Sequence, residues 1–216
     1  MNHGHAEDAL MCFDRMLNDG LHPNAITFTC ILKACGQTQA IDKGHWIHDE
    51  IRRARMLEKD IVLSTALVDM YAKCGMLVKA EKVLKELPIR GVITWNALIT
   101  GHVQLELGHA ALKCVEQMQT EGLSPNAVTF ICMLKACGSI GAIDKGKEIH
   151  EEILTRGLFE ENIALCYALV DMYSKCGMVQ KAHELLDGLL FRDVIVWTSL
   201  ITGHAQQGQG ENALAC

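Results

Sequence analysis

An eleven-residue stretch, Ala66-Leu-Val-Asp-Met-Tyr-Ala-Lys-Cys-Gly-Met76, returns as Ala168-Leu-Val-Asp-Met-Tyr-Ser-Lys-Cys-Gly-Met178, an offset of 102 residues. Pro23-Asn-Ala-Ile-Thr-Phe returns as Pro125-Asn-Ala-Val-Thr-Phe at the same offset, as does Ile93-Thr-Trp-Asn-Ala-Leu-Ile-Thr-Gly-His102 as Ile195-Val-Trp-Thr-Ser-Leu-Ile-Thr-Gly-His204. One constant offset without gaps is an internal repeat, and it restricts the chain to architectures made by stacking similar units. Within one period, Leu98, Met133, Leu169 and Leu200 each open a similar apolar pair, in steps of 35, 36 and 31 residues. Units of about that length are helix-turn-helix repeats.

The periodicity inside the units is helical. Leu169, Met172, Tyr173 and Cys176 fall at i, i+3, i+4 and i+7, one helix face, and Phe130, Met133, Leu134 and Cys137 do the same. Helices are predicted over about 94–103, 108–120, 143–155 and 179–186. Gly177 is the expected stop of one helix, and Gly138 and Gly141 are expected to break another. With 5% aromatic residues and only 3 prolines, the composition suits helices better than strands.

The net charge of -6 argues against strong nonspecific nucleic-acid binding, though it leaves room for a local positive groove. The 10 cysteines read as small buried hydrophobes of a reducing compartment, because each lies on an apolar stripe or near a helix end. No apolar run is long enough to cross a membrane, and residues 1–8 have neither the apolar nor the Arg-rich character of a targeting segment. His48-Asp-Glu50 and His150-Glu-Glu152 match half of a zinc-deaminase signature, but no Cys-x-x-Cys accompanies them. No phosphate loop or nucleophile motif is present, and the recurrence of Asp69 as Asp171 reads as structural. No metal, cofactor or catalytic residue is expected, and the chain is not expected to be an enzyme.

The unit lengths, with Val92-Ile-Thr-Trp-Asn96-Ala-Leu-Ile, Gly146-Lys-Glu-Ile-His150 and Ala168-Leu-Val-Asp-Met-Tyr-Ser-Lys-Cys-Gly177, resemble the pentatricopeptide-repeat proteins of plants. More narrowly they resemble the PLS subclass, in which P, L and S units rotate. The resemblance implies an all-α, right-handed α-solenoid of stacked helix-turn-helix repeats. It lays the chain out as a partial P unit at 1–24 holding only a second helix, L at 25–60, S at 61–91, P at 92–126, L at 127–162, S at 163–193, and a truncated P at 194–216. Without polar caps at either end, the chain reads as part of a longer array or as a truncated gene product.

The resemblance also implies single-stranded RNA binding at about one base per repeat. The fifth and last residues of a unit meet the base edge, and an apolar second residue packs on its face. Carried over, unit 92–126 reads with Asn96 and Asn126, a pair that implies a pyrimidine, cytosine over uracil. Thr198 implies a purine. Thr65 faces Gly91 where Asp or Asn is usual; Tyr167 stands with Asp193; Thr29 with Asp60; and Ile131, which cannot hydrogen-bond a base, with Asn162. The stacking residues are Ile93, Ile195 and Val62. Against each assignment stands the ordinary use of Asn or Thr near a helix start as a cap. Lys73 and Lys175 hold equivalent places and either meet phosphate or stand in solvent. By resemblance the expected role is site recognition for C-to-U editing in a mitochondrion or plastid, with a deaminase or another repeat protein supplied in trans. The alternative is a protein-binding helical scaffold.

Overall fold

The structure is a computed structural model that describes residues 3–58, 60–159, 162–188 and 194–206. Among them are twelve α-helices and no strand. The helices form two compact units, Met1–Leu105 and Glu106–Cys216.

The first unit holds α1 (His3–Asn18), α2 (Ala25–Thr38), α3 (Ile41–Arg53), α4 (Ile61–Lys73), α5 (Leu77–Glu86) and α6 (Val92–Gln104), with a 3₁₀ turn at Met56–Glu58. Consecutive helices pair as hairpins. In addition α2 packs on α4 and α4 on α6, so these three form one layer with α1, α3 and α5 behind them. The second unit repeats the arrangement with α7 (Gly108–Thr120), α8 (Ala127–Ile140), α9 (Ile143–Thr155), α10 (Ile163–Lys175), α11 (Val179–Asp187) and α12 (Val194–Gln206), in which α8, α10 and α12 form the layer. A lone hairpin has nothing to cover its apolar stripe, whereas stacked hairpins bury one continuous core. That core is Leu32, Ile47, Ile51, Leu63, Leu67, Leu84 and Leu98 in the first unit. In the second it is Phe130, Leu134, Ile149, Ile153, Leu165, Leu169, Leu186 and Leu200.

The predicted helices are all present, and α10 ends before Gly177, which takes φ +80°. Gly138, expected to break its helix, instead lies inside α8, which runs on to a left-handed cap at Gly141. The reason is tertiary: a Cβ on Gly138 would sit 3.4 Å from Met172 Cα and 3.3 Å from the Lys175 side chain, so the missing side chain brings α10 close. Packing compensates the low helix propensity of glycine. Gly44 and Gly146 serve the same purpose for the second helices. A Cβ there would meet the sulfur of Met70 at 2.6 Å or of Met172 at 2.5 Å.

The cysteine expectation needs correcting at two places. Cys35, Cys114, Cys132, Cys137 and Cys166 are buried and Cys74 and Cys176 half-buried, but Cys12 and Cys30 are exposed. Cys12 follows the face of α1 that carries the buried Phe13 by one residue step backwards, about 100° around the helix. Cys30 stands between the buried Thr29 and Ile31 on α2 and is itself exposed. The nine described cysteines are thiols and not disulfides, and Cys216 lies outside the described residues. Burial pushes the thiols of Cys35 and Cys137 up to about 11. None of the described helices is long and apolar enough to cross a membrane.

Candidate nucleic-acid interface

Each of α2, α4, α6, α8 and α10 starts from the last residue of the preceding sequence unit, and in most cases that residue caps it. Asn24 Oδ1 accepts from the Thr27 amide at 2.9 Å, and Asp60 Oδ1 from Val62 and Leu63 at 2.9 and 3.0 Å. Asn162 Oδ1 accepts from Ala164 at 3.1 Å. Asn126 forms a full capping box: its Oδ1 accepts from the Thr129 amide at 3.1 Å, while its own amide donates to Thr129 Oγ1 at 3.2 Å. The cap answers a local need, since the first four N–H groups of a helix lack intrahelical partners. Gly91, at the same place before α6, offers no side-chain cap.

One residue into the helix the apolar second places stand out in solvent. Ile26 is 74% exposed, Val62 60% and Ile93 72%, and Val128 and Ala164 are exposed too. Apolar residues two places past the cap cannot turn to the core, because the stripe that faces it begins at the following residues. On α4 the residues Val62, Thr65, Asp69 and Lys73 follow at spacings of three and four and share one face; Ala164, Tyr167, Asp171 and Lys175 do so on α10.

The fifth places differ among themselves. Asn96 is buried at 6% exposure and Thr29 is nearly so, its hydroxyl donating to the Ala25 carbonyl at 2.8 Å. Thr65, Ile131 and Tyr167 are half-buried. Thr198 is exposed, and its hydroxyl donates to the Val194 carbonyl at 2.7 Å. The Thr65 hydroxyl is joined at 2.8 Å to that of Thr94, which is fully buried on the next first-layer helix. Thr94 was not singled out by the sequence. Its only signal there is its place between Ile93 and Trp95, in a segment whose copy has Val196 instead. Asn96 belongs to the first compact unit and Asn126 to the second. Asp193 and the side chain of Ile195 lie outside the described residues.

The two repeated lysines are not bare cations. Lys73 Nζ donates to Asp69 at 2.7 Å and Lys175 Nζ to Asp171 at 2.8 Å, so the recurring aspartates are ion-pair partners of the recurring lysines. The His-x-Glu triplets also find structural employment. His48 Nδ1 meets the Tyr71 hydroxyl at 2.9 Å and His150 Nδ1 that of Tyr173 at 3.0 Å, tying a second helix to the next first-layer helix. Glu50 pairs with Arg53 and Glu152 with Arg156. Burial, reinforced by the Arg52 charge, holds His48 below the usual histidine range; burial and then Lys181 do the same for His150.

Stacked helical hairpins, with capped helix starts and solvent-facing apolar residues in each compact unit, define a helical-repeat protein. The chain belongs to the PPR repeat family: the PPR repeat family model matches residues 1–37 and 90–139, and the PPR repeat model matches 62–92, 128–158, 166–194 and 195–216. Among its relatives in Arabidopsis thaliana, the chloroplastic pentatricopeptide repeat-containing protein At4g18520 is 36% identical over 98% of this chain and 34% of its own length. The mitochondrial At3g13770, named as putative, is 34% identical over 98% of this chain and 33% of its own length, and the chloroplastic CRR2 is 35% identical over the same shares. The chain thus spans about a third of the length of these curated relatives. The crystal structure of the pentatricopeptide repeat protein PPR10 in complex with an 18-nt psaJ RNA element matches with a TM-score of 0.78 at 19% identity, over 98% of this chain and 32% of that one. That likeness shows the fold, the α-solenoid of stacked repeats.

Proposed function

We propose that this chain is a single-stranded-RNA-binding module of an organellar RNA-processing protein, whose P, L and S units follow the boundaries 1–24, 25–60, 61–91, 92–126, 127–162, 163–193 and 194–216. The observation that carries this reading is the exposed apolar second place, Ile26, Val62 and Ile93 in the first compact unit and Val128 in the second, each two residues after the capping position. An apolar side chain held in solvent at the same place of successive units is a platform on which bases stack one per unit. The fifth and last residues flank it. Asn96 with Asn126 selects a pyrimidine, Thr198 a purine, and Thr65, Thr29 with Asp60, and Tyr167 with Asp193 contribute less. By the family pattern Ile195 holds the second place of the last unit.

The relatives named chloroplastic and mitochondrial and the RNA-bound PPR10 support the organellar, RNA-binding part of this reading. The narrower role is recognition of a C-to-U editing site, with the chemistry done by a deaminase that this chain positions. The chain itself acts as a scaffold, not an enzyme.

The net charge of -6 and the pairing of Lys73 and Lys175 with aspartates favour a second reading, a surface for a protein partner. Binding to short single-stranded RNAs that differ only opposite unit 92–126 decides between them. A preference for C or U there, lost in Asn96→Ala, with affinity falling as salt rises, is the expected result. Indifference to base, salt and mutation by a folded protein would move the function to a protein partner.

A further inference from the structure

The two copies of the repeat act as each other's control, and they differ most usefully behind the first-layer helices. In the first unit α3 and α5 enclose a cleft of about 350 Å³, floored by Tyr71 and His48. An adjoining hollow of about 170 Å³ shares His48 and Arg52 and is reached by Arg55. We propose that this cleft binds a phosphate-bearing anion of about diphosphate size. It stands apart from the RNA reading, whose residues lie on the first-layer helices and their caps.

Three exchanges between the copies carry the proposal. Lys79 corresponds to Lys181, whose Nζ is neutralised by Glu184 at 2.9 Å. In the first copy the place of Glu184 is taken by Lys82, and Lys79 Nζ instead donates to His45 Nε2 at 2.7 Å and lies 5.9 Å over the Tyr71 ring. Arg52 stands where the second copy has Leu154, and Arg55 where it has Gly157.

The last exchange is against local preference. Gly157 takes φ +66° without strain, whereas Arg55 is held at φ +51°, a conformation that side chains disfavour. Gln39 and Glu106 take the same conformation after α2 and α6, at φ +57° and +58°, so the backbone there is an ordinary helix end and only the side chain it carries is exchanged. Arg52 and Lys82 add positive charge to the cleft and Arg55 to the adjoining hollow, while Glu86 in place of Gly188 and His45 in place of Lys147 offset part of it.

In the cleft Arg52, Lys79 and Lys82 stand with Asp49 and Glu86, and the hollow adds Arg55 and Glu58, which leaves one positive charge in excess. Arg52 meets Asp49 at 3.3 Å and Lys82 meets Glu86 at 4.0 Å, both in pairs that are mostly exposed and therefore weak. An anion entering the cleft competes with them. Guanidinium and ammonium groups converging on one hollow suit phosphoryl oxygens, which accept several charge-assisted hydrogen bonds at once. The cleft volume lies at the small end of ligand sites.

The test is a calorimetric titration of the 216-residue chain with inorganic pyrophosphate at low salt, beside the double variant R52L/K82E and the single variant Lys79→Gln. The double variant gives two places the character of the second copy and changes only exposed side chains; the melting curve of each variant verifies its fold. The expected result is one saturable site, weakened about tenfold or more in both variants. A nucleoside diphosphate binding as pyrophosphate does assigns the site to the phosphoryl groups, and tighter binding adds the nucleoside to the ligand; either supports the proposal. No saturable binding, or equal affinity in the wild type and the folded variants, overturns it.

Discussion

Ser174 is the single change in the repeated eleven-residue stretch, standing where the first copy has Ala72, and its cost is visible. Its hydroxyl is the one buried side-chain oxygen or nitrogen among the described residues without a hydrogen-bond partner. A polar atom that gives up water and gains nothing costs about 1–3 kcal/mol. Ser174→Ala should therefore raise the unfolding free energy by about 1 kcal/mol, which denaturant titration measures. The cysteines give a second residue-scale prediction. A thiol reacts as the thiolate, so burial that raises its pKa also silences it. Alkylation of the native protein should label Cys12 and Cys30 first. Cys35 and Cys137, pushed up to about 11, should react only on unfolding, as peptide mapping would show.

At the scale of the element, caps and close approaches separate folding from reading. Asp60→Ala should cost about 1 kcal/mol through the lost cap of α4, measured as a shift in the urea midpoint, and Asp60→Asn should cost little. Asn126→Asp keeps an acceptor for the Thr129 amide but removes the amide donors. It should leave stability nearly unchanged while altering base preference, whereas a purely structural Asn126 would change neither. Gly44→Ala should destabilise by about 1–3 kcal/mol, because the added methyl meets the Met70 sulfur at 2.6 Å; the flexible thioether places the effect at the low end. Helix positions were legible beforehand because the 3.6-residue period and the start signals are local. Gly138 was misread because its neighbour across the interface, Met172, lies far away in sequence.

At the scale of the molecule, pH acts through the repeated His–Tyr contacts. The folded values of His48 and His150 lie below the ordinary one, so the unfolded chain binds more protons once pH falls below about 6.5. The stability from keeping these rings neutral is complete above that value. It is lost as pH falls from there through the lowered folded values. The melting temperature should decline from about pH 7.5 to about pH 5.5, less steeply in a His48→Gln/His150→Gln double variant.

Family membership, the all-helical class and the repeat units came from the sequence itself, because a constant offset and a helical period survive in one dimension and need no partner to be seen. The candidate readers came with the resemblance. What they do within the fold depended on neighbours brought in by packing: Asn126 and Asp60 cap helices, Thr65 is tied to Thr94, and Lys73 and Lys175 are held by aspartates. The exposure of Cys12 and Cys30 and the gathering of Arg52, Lys79 and Lys82 at the α3–α5 cleft were likewise decided only in three dimensions. Burial and charge pairing are properties of surfaces, and a surface is assembled from residues that the chain alone keeps far apart.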